Sequence, residues 1–277
     1  MNAPSLATEI SGVSPGNGPM LPLPGHVDVA GVPVFDAAAE HVLSLCHERI
    51  AAGVGTRIAT ANLDFLAIAR RDATLKEHLR SSHLVLADGK PVAVLARVAG
   101  AAKTVRVAGV DLVGSLLARH PLPTLRVALY GATEHVSLAA ADTFAAYDRV
   151  EVVARVVPPF RPLAPDEELE ERARIREAEP HLVLVALGCP RQEQLIARYF
   201  DEAPGATWIG VGGTLDFFAG SRKRAPRWVQ DAGGEWIVRL AQEPRRLWRR
   251  YLLRDVPALA AVAPPVCGAA VRRRFRS

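Results

Sequence analysis

Cysteine and aromatic residues are scarce in this sequence. Only three of its 277 residues are cysteine, and aromatic residues make up 6%. Cys46, Cys189 and Cys267 form an odd set without paired spacing, which argues against a disulfide framework and favours a reducing compartment. Cys46 lies close to His41 and His47, but their spacing fits no common zinc motif, so no metal site is expected there.

Two motifs of phosphate chemistry are absent as well. The sequence has no Gly-x-x-x-x-Gly-Lys segment, which excludes the P-loop class of ATPases. It also has no Asp-x-Asp pair, with which many sugar-nucleotide enzymes hold a divalent cation. If the protein handles phosphates, arginines and backbone amides are expected to replace the metal. We therefore expect no metal ion and no cofactor.

A long uninterrupted apolar run is also missing. The nearest candidate, residues 256–271, is shorter than the roughly 20 residues that a bilayer requires. Pro257, Pro264 and Pro265 are expected to interrupt it. An apolar stretch flanked by arginines and tryptophans can lie in the lipid interface, where each basic residue adds about 1 kcal/mol of attraction to anionic headgroups. We predict peripheral attachment to an anionic membrane surface; the alternative is a flexible basic tail.

Basic residues are concentrated at the C-terminal end. Residues 222–277 contain 14 Lys and Arg against four Asp and Glu, a net charge of +10, whereas residues 1–221 have a net charge of −5. Such a patch commonly meets nucleic acid, an anionic membrane or a phosphorylated substrate. A nucleic-acid-binding protein would account for the charge, but no recognised nucleic-acid motif accompanies it, so no nucleic-acid partner is expected.

The order of sequence patterns predicts the fold class. Residues 1–33 are rich in proline and glycine and have no basic head before an apolar core, which predicts a flexible leader and not a signal peptide. Over residues 34–226, short β-branched runs alternate with longer helical patterns, as is typical of a mostly parallel α/β sheet with helices on both faces. Residues 227–277 are rich in tryptophan and arginine and predict a separate, basic helical appendage.

Polar residues and glycines follow most of the predicted strands. In parallel sheets, ligands bind beyond the carboxyl ends of the strands. The segments at these ends are Asn62, Asp88-Gly89, Gly131–Thr133, Gly188–Glu193 and Gly212–Asp216. Asp88 can serve as a general base, a role that contributes about 10²–10⁴ in rate, although Asp-Gly is also a common turn. Gln192 can donate to and accept from a ligand, and Glu193 can cap the following helix. The histidine nearest to Cys189 in sequence, His181, is expected at the far end of the preceding strand, so Cys189 is not expected to be a nucleophile.

Basic residues continue beyond the last predicted strand. Glycines and Asp216 precede a basic cluster at 222–224, which predicts a ligand-binding loop at the start of the appendage. Arg239, Arg246 and Arg249 are spaced by seven and three residues, so they share one helical face if the helix continues through Pro244 or restarts there. The alternative is an ordinary solvated face.

Eight segments, taken in order, resemble motifs of the WecG/TagA/CpsF family of bacterial glycosyltransferases. They are Thr60-Ala-Asn62, Ala87-Asp88-Gly89, Arg106-Val-Ala-Gly-Val-Asp111, Gly188-Cys-Pro-Arg-Gln-Glu193, Gly210-Val-Gly-Gly-Thr-Leu-Asp-Phe217, Ala219-Gly-Ser-Arg-Lys-Arg-Ala-Pro226, Glu235-Trp236 and Glu243-Pro-Arg-Arg-Leu-Trp-Arg-Arg-Tyr251. The resemblance covers about residues 34–251. It implies a Rossmann-like core and an appendage that docks on the cytoplasmic face of the inner membrane.

The resemblance also implies an activity, namely inverting, metal-independent transfer from a UDP-sugar to a sugar on undecaprenyl diphosphate. It makes Asp88 the general base. The implied substrate-binding residues are Thr60, Asn62, Arg106, Gln192, Arg239, Arg246 and Arg249, and the implied nucleotide-binding residues are Gly131, Gly212 and Asp216. A nucleotide-sugar-binding regulatory protein without turnover is the alternative, and a homo-oligomer is left open.

This sequence departs from the family pattern at three places. Thr104-Val105 precede Arg106 where the family often has a glutamate, Gly233-Gly-Glu-Trp236 replaces Gly-Leu-Glu-Trp, and Lys90-Pro91 follow Asp88-Gly89. Because these changes lie beside the implied acceptor site, the sequence leaves the identity of the sugar open.

Overall fold

The N-terminal element is a β-hairpin. The computed structural model describes residues 23–274, without the side chains at positions 231, 246, 265 and 269–274. Strands β1 (His26–Val29) and β2 (Val32–Phe35) pair antiparallel. Ala30 and Gly31, with φ angles of 56° and 87°, form the two-residue turn, which suits glycine at its second position.

The hairpin corrects the prediction of a flexible leader as far as residue 33. Val29, Val32 and Val34 are fully buried and join the core, so the alternating valines outweigh the neighbouring glycines and prolines. Residues 1–22 of the predicted leader lie outside the described residues.

A six-stranded sheet forms the centre of the molecule, and it confirms the predicted α/β class. Its strands are β3 (Thr56–Ala61), β4 (Leu84–Ala87), β5 (Leu125–Gly131), β6 (Val150–Val156), β7 (Leu182–Ala186) and β8 (Thr207–Gly210). Their spatial order is β4-β3-β8-β7-β5-β6, and every neighbouring pair is parallel. All carboxyl ends therefore meet at one edge, with β3, β8 and β7 in the middle of the sheet.

Helices cover both faces of this sheet. They are α1 (Ala39–Ala51), α2 (Leu63–Ala69), α3 (Ala73–Arg80), α4 (Lys90–Val98), α5 (Gly109–Arg119), α6 (Glu134–Ala145), α7 (Pro165–Glu177), α8 (Arg191–Tyr199) and the short α9 (Thr214–Phe218). One face packs against α1, α5 and α6, and the other against α2, α3, α4, α7 and α8. Strand β7 is apolar at every position because alternate residues enter different cores.

The C-terminal part of the chain is helical, as predicted, but it is not separate. It comprises α10 (Arg227–Ala232), α11 (Glu235–Gln242), α12 (Pro244–Arg250), a π-helical turn (Tyr251–Asp255) and α13 (Val256–Arg274). Val262 and Val266 of α13 are buried in the same core as α2 and α4.

Helix α13 also runs without a break where prolines were expected to interrupt it. Pro264 lies inside this helix. An internal proline costs about 3 kcal/mol, which burial of the neighbouring valines helps to offset. Within residues 23–274, no helix combines the length and hydropathy needed to cross a bilayer.

Candidate active site

A cleft of about 570 Å³ opens at the carboxyl ends of β3, β4, β7 and β8. The sheet supplies one side, and α11 with the π-helical turn supplies the other. The predicted site residues in its walls are Thr60, Asn62, Asp88, Arg106, Gln192, Gly212, Asp216 and Arg239. The fold therefore brings together residues that are separated by up to 179 positions in the chain.

Asp88 lies where β4 ends. Its backbone N–H donates to the carbonyl of Ala61 on β3 at 2.9 Å, which fixes it at the edge of the sheet. Gly89 follows with a φ of 126°, a conformation that glycine adopts readily, and the chain turns there into α4.

The electrostatic surroundings of Asp88 suit a base. Burial raises the pKa of Asp88 to about 6. Arg106, Arg239 and Arg250 hold that pKa down, whereas Glu235 raises it. At neutral pH the carboxylate is ionised, yet it is a stronger base than an exposed aspartate.

Thr60 and Asn62 support the cleft through their own side chains. The Thr60 hydroxyl is buried and donates to the carbonyl of Gly210 at 2.7 Å, which ties β3 to β8. Asn62 Oδ1 accepts from the Asp64 amide at 3.0 Å and so caps α2. The same oxygen accepts from Arg250 Nη2 at 3.1 Å, which joins this strand end to the C-terminal helices.

Gln192 links the loops that follow β7 and β8. Its Oε1 accepts from the amides of Gly188 and Gly212 at 3.2 and 3.0 Å. Its Nε2 donates to Glu193 Oε1 at 2.8 Å, and both side chains are almost completely buried. Glu193 thus faces Gln192 inside the protein.

The predicted nucleotide residues do not all reach the cleft. Gly212 and Asp216 line it, and Asp216 pairs with Arg222 at 3.4 Å. Gly131 ends β5, one strand further out, and is not part of the wall. An added Cβ at Gly131 would lie 2.8 Å from the Ala186 carbonyl, so close approach of two strands accounts for this glycine.

The three predicted appendage arginines have different positions. Arg239 lines the cleft, whereas Arg249 is exposed, stacks over the Trp248 ring at 5.4 Å and lies outside the wall. The side chain of Arg246 lies outside the described residues. Helix α11 ends at Gln242 and α12 begins at Pro244. Arg239 and Arg249 therefore lie on different helices, and their spacing in sequence does not place them on one helical face.

Arg250, which the spacing did not select, enters the cleft instead. Its Nε lies 3.2 Å from Asp64 Oδ2 and 3.7 Å from Asp255 Oδ2. Burial raises the pKa of Asp255 to about 6. The adjacent arginines 249–250 belong to a segment that resembles the family, and this was the available signal. Only the packing of the helix against Asn62 and Asp64, far away in the chain, distinguishes the two arginines.

Comparison with known proteins identifies the family. The sequence profile of the Glycosyl transferase WecG/TagA/CpsF family matches residues 27–269. The chain belongs to this family. It is similar to a protein named N-acetylglucosaminyldiphosphoundecaprenol N-acetyl-beta-D-mannosaminyltransferase from Bacillus subtilis (strain 168), with 32% identity over 204 residues, 72% of this chain and 76% of that protein. A protein of the same name from Bacillus spizizenii (strain ATCC 23059 / NRRL B-14472 / W23) is 34% identical over 203 residues, 72% of this chain and 75% of that protein.

The charges of the glycosyltransferase cleft are largely paired across its two sides. Arg106 pairs with Glu235, and Arg222 pairs with Glu243 at 2.7 Å. Arg239, by contrast, makes no ion pair within the part of the chain that the structure describes. The sequence motifs indicate these arginines, but no local pattern indicates that Glu235 and Glu243 pair with them.

Two negative predictions concern metals and thiols. Among residues 23–274, no group of three or more His, Cys, Asp and Glu side chains is arranged to hold a metal ion. That the glycosyltransferase works without a metal stays a prediction. Burial and the nearby Glu193 raise the pKa of Cys189, which disfavours the thiolate that a nucleophile requires.

Proposed function

We propose that this glycosyltransferase moves a hexosyl group from a UDP-sugar to the saccharide of an undecaprenyl-diphosphate-linked acceptor, with inversion and without a metal ion, in cell-surface or exopolysaccharide synthesis. The names of the two relatives support an acceptor of this class. The observation that carries the proposal is the ionisable Asp88 in a cleft that also contains several arginines.

In this proposal Asp88 is the general base. It accepts the proton of the acceptor hydroxyl while that oxygen bonds to the anomeric carbon. The bond from this carbon to the UDP oxygen breaks, and the electron pair leaves with UDP. Attack from the face opposite the leaving group inverts the anomeric centre. Proton acceptance by a positioned carboxylate contributes about 10²–10⁴ in rate.

Cleft arginines replace a metal ion in neutralising the diphosphate. Arg239 is the best placed to neutralise the diphosphate, because it lines the cleft and makes no ion pair among the described residues. Negative charge grows on UDP as the glycosidic bond breaks, so a fixed cation favours the transition state over the ground state. Arg106 and Arg250 add positive potential, although each also pairs with a carboxylate.

An apolar surface borders the mouth of the cleft. Leu252, Val256 and Leu259 line the cleft and are exposed. The exposed Trp228 and Trp248 lie in the same arginine-rich region of the chain. Such a surface can rest in the lipid interface and receive an acceptor that remains in the membrane. This supports peripheral attachment at the cytoplasmic face of the inner membrane.

A transfer assay tests the proposal. The full-length protein in detergent is incubated with a panel of UDP-sugars and polyprenyl-diphosphate-linked saccharides, with and without chelator. We expect transfer from at least one donor, release of UDP and no effect of the chelator. Absence of transfer with every pair would overturn the proposed reaction, and loss of activity with chelator would overturn its metal independence.

A substitution at Asp88 separates an enzyme from a nucleotide-sugar-binding regulator. In Asp88→Asn, UDP binding should persist while transfer falls by about 10² or more. Asp142→Asn, at an exposed position, is the matched control and should behave as wild type. Unchanged transfer in Asp88→Asn would remove this residue from the catalytic role.

A further inference from the structure

The buried Gln192 amide joins two loops of the cleft, and its orientation determines whether it can do so. Its oxygen accepts from the amides of Gly188 and Gly212, at 3.2 and 3.0 Å. Those N–H groups can only donate. If the amide were turned by 180°, its NH₂ group would face two other donors, and both hydrogen bonds would be lost.

Glu193 provides the partner that fixes this orientation. Its Oε1 lies 2.8 Å from Gln192 Nε2. Whether the carboxyl is ionised or carries a proton on Oε2, its Oε1 only accepts hydrogen bonds, so it requires the NH₂ side of the neighbouring amide. The correct orientation of Gln192 therefore satisfies three hydrogen bonds, and the turned orientation satisfies none of them.

The two side chains also pack against the central strand. A Cβ at Gly210 would lie 2.6 Å from Gln192 Nε2 and 2.9 Å from Glu193 Oε1, so any larger residue there would displace this pair. The carbonyl of the same glycine accepts the Thr60 hydroxyl at 2.7 Å. One buried network thus connects the ends of β3, β7 and β8 at the cleft.

Stability alone does not account for a carboxyl at this position. Glu193 is 5% exposed, and its Oε2 is buried without a hydrogen bond of good geometry among the described residues, although the nearby Cys189 thiol lowers the pKa of the carboxyl. Burial raises the pKa of Glu193 to about 7. A buried carboxyl with an unused oxygen is unfavourable, and an amide of the same shape would avoid the cost of burying charge.

We propose that Glu193 is a positioning residue: it holds the Gln192 amide in the orientation that ties the Gly188 and Gly212 loops together, and so shapes the nucleotide side of the cleft. That the ligand of this part of the cleft is UDP rests on the proposed function. The orientation of Gln192 and the ordering of the two loops do not depend on the proposed function.

Hydrogen exchange on the full-length protein tests the positioning role without a ligand. Glu193→Gln keeps the shape of the side chain, but the new amide at position 193 can either donate to Gln192 or accept from it. The substitution therefore no longer fixes the orientation of the Gln192 amide. We expect amide exchange to become about five- to tenfold faster in peptides that contain Gly188 and Gly212, since each loses a hydrogen bond for part of the time. Unchanged exchange in both peptides would overturn the proposal.

Glu171→Gln is the matched control. Glu171 is also a buried glutamate with a raised pKa on a helix that covers the sheet, but it bonds to Tyr130 and does not line the cleft. Its substitution should leave exchange of the Gly188 and Gly212 peptides unchanged. Equal acceleration in both variants would indicate general loosening and would overturn a specific role of Glu193.

A double-mutant cycle on UDP affinity, measured by calorimetry, tests whether Glu193 acts through Gln192. Glu193→Gln and Gln192→Ala should each weaken UDP binding by about fivefold or more. In the Gln192→Ala background, Glu193→Gln should have no further effect, because its target is gone. Additive effects would overturn the proposal. If wild type binds no UDP, the proposed function fails, while the exchange experiment still decides the role of Glu193.

Discussion

Arg106, on the loop before α5, donates a hydrogen bond to Glu235 at the start of α11, 129 positions later in the chain. Both side chains are about one-fifth exposed and line the cleft. The pair joins the α/β sheet to the C-terminal helices next to Asp88. The chemistry of the cleft therefore depends on both parts of the chain.

The pH dependence of transfer should report the ionisation of Asp88. Its base form is required, and its pKa is raised to about 6. Activity is therefore expected to be full above this value and to fall about tenfold per unit as pH decreases below it. The measurement is kcat/KM between pH 5 and 8. A profile that stays flat down to pH 5 would contradict this assignment.

Glu235→Gln should move that acidic limb. Glu235 raises the pKa of Asp88, so neutralising it lowers that pKa and keeps the base ionised at more acidic pH. We expect the acidic limb of the profile to shift to lower pH, and the contact that holds Arg106 to weaken. The same pH profile measures it. Glu170→Gln, at an exposed position far from the cleft, should leave the limb in place.

Neighbouring arginines should respond differently to substitution. Arg250→Ala removes the contacts with Asn62, Asp64 and Asp255 and leaves Arg254 as the remaining basic partner of the two buried carboxylates. We expect the free energy of unfolding to fall by about 1–3 kcal/mol and transfer to fall with it. Arg249→Ala removes an exposed side chain and should change both quantities little. Denaturant unfolding and the transfer assay measure the contrast; equal effects would contradict the geometry.

Glu193 should make stability depend on pH. Its pKa is raised from an ordinary 4.5 to about 7 in the folded protein, so the folded state holds the proton more tightly than the unfolded state. The stabilisation of the folded state by protonated Glu193 is present below about pH 4.5 and is lost as pH rises towards 7. At about 1.4 kcal/mol per pKa unit, the loss is on the order of 3 kcal/mol.

Glu193→Gln removes this titration. The free energy of unfolding of the variant, compared with that of wild type, should be higher at pH 8 than at pH 5. Denaturant unfolding at the two pH values measures this difference. A difference in unfolding free energy that does not change with pH would show that Glu193 does not titrate in this range.

The exposed leucines of the π-helical turn should contribute to vesicle binding. Leu252→Glu and Leu253→Glu remove apolar area that we propose enters the lipid interface, where a buried leucine contributes about 1.5–3 kcal/mol. Binding to vesicles with anionic lipid should fall about tenfold or more for each. Leu169→Glu, on α7, is the control because it is also exposed but lies in the α/β region. Loss of binding in the control as well, or in neither test variant, would contradict this surface.

The strands and most site residues were predictable because their signals are local. The strand-like pattern at Arg57–Ala61 and the apolar run at Leu182–Leu187 predict two strands, and the observed β3 and β7 lie within a residue of these bounds. Parallel strands place their carboxyl ends together, so a polar residue after a strand, such as Asp88, could be assigned to the cleft before its neighbours were known.

What the sequence alone determined is therefore the α/β fold class, most of the segments that reach the cleft and the concentration of positive charge near the C-terminus. The tertiary structure decided which arginine of the adjacent pair enters the cleft, that α13 packs into the core, and that Glu193 faces Gln192. The physical reason for this division is that strands and helices are specified by hydrophobic patterns among residues close together in sequence. The position of Arg250 and the hydrogen bond of Arg106 depend on partners from distant parts of the chain, which no local pattern specifies.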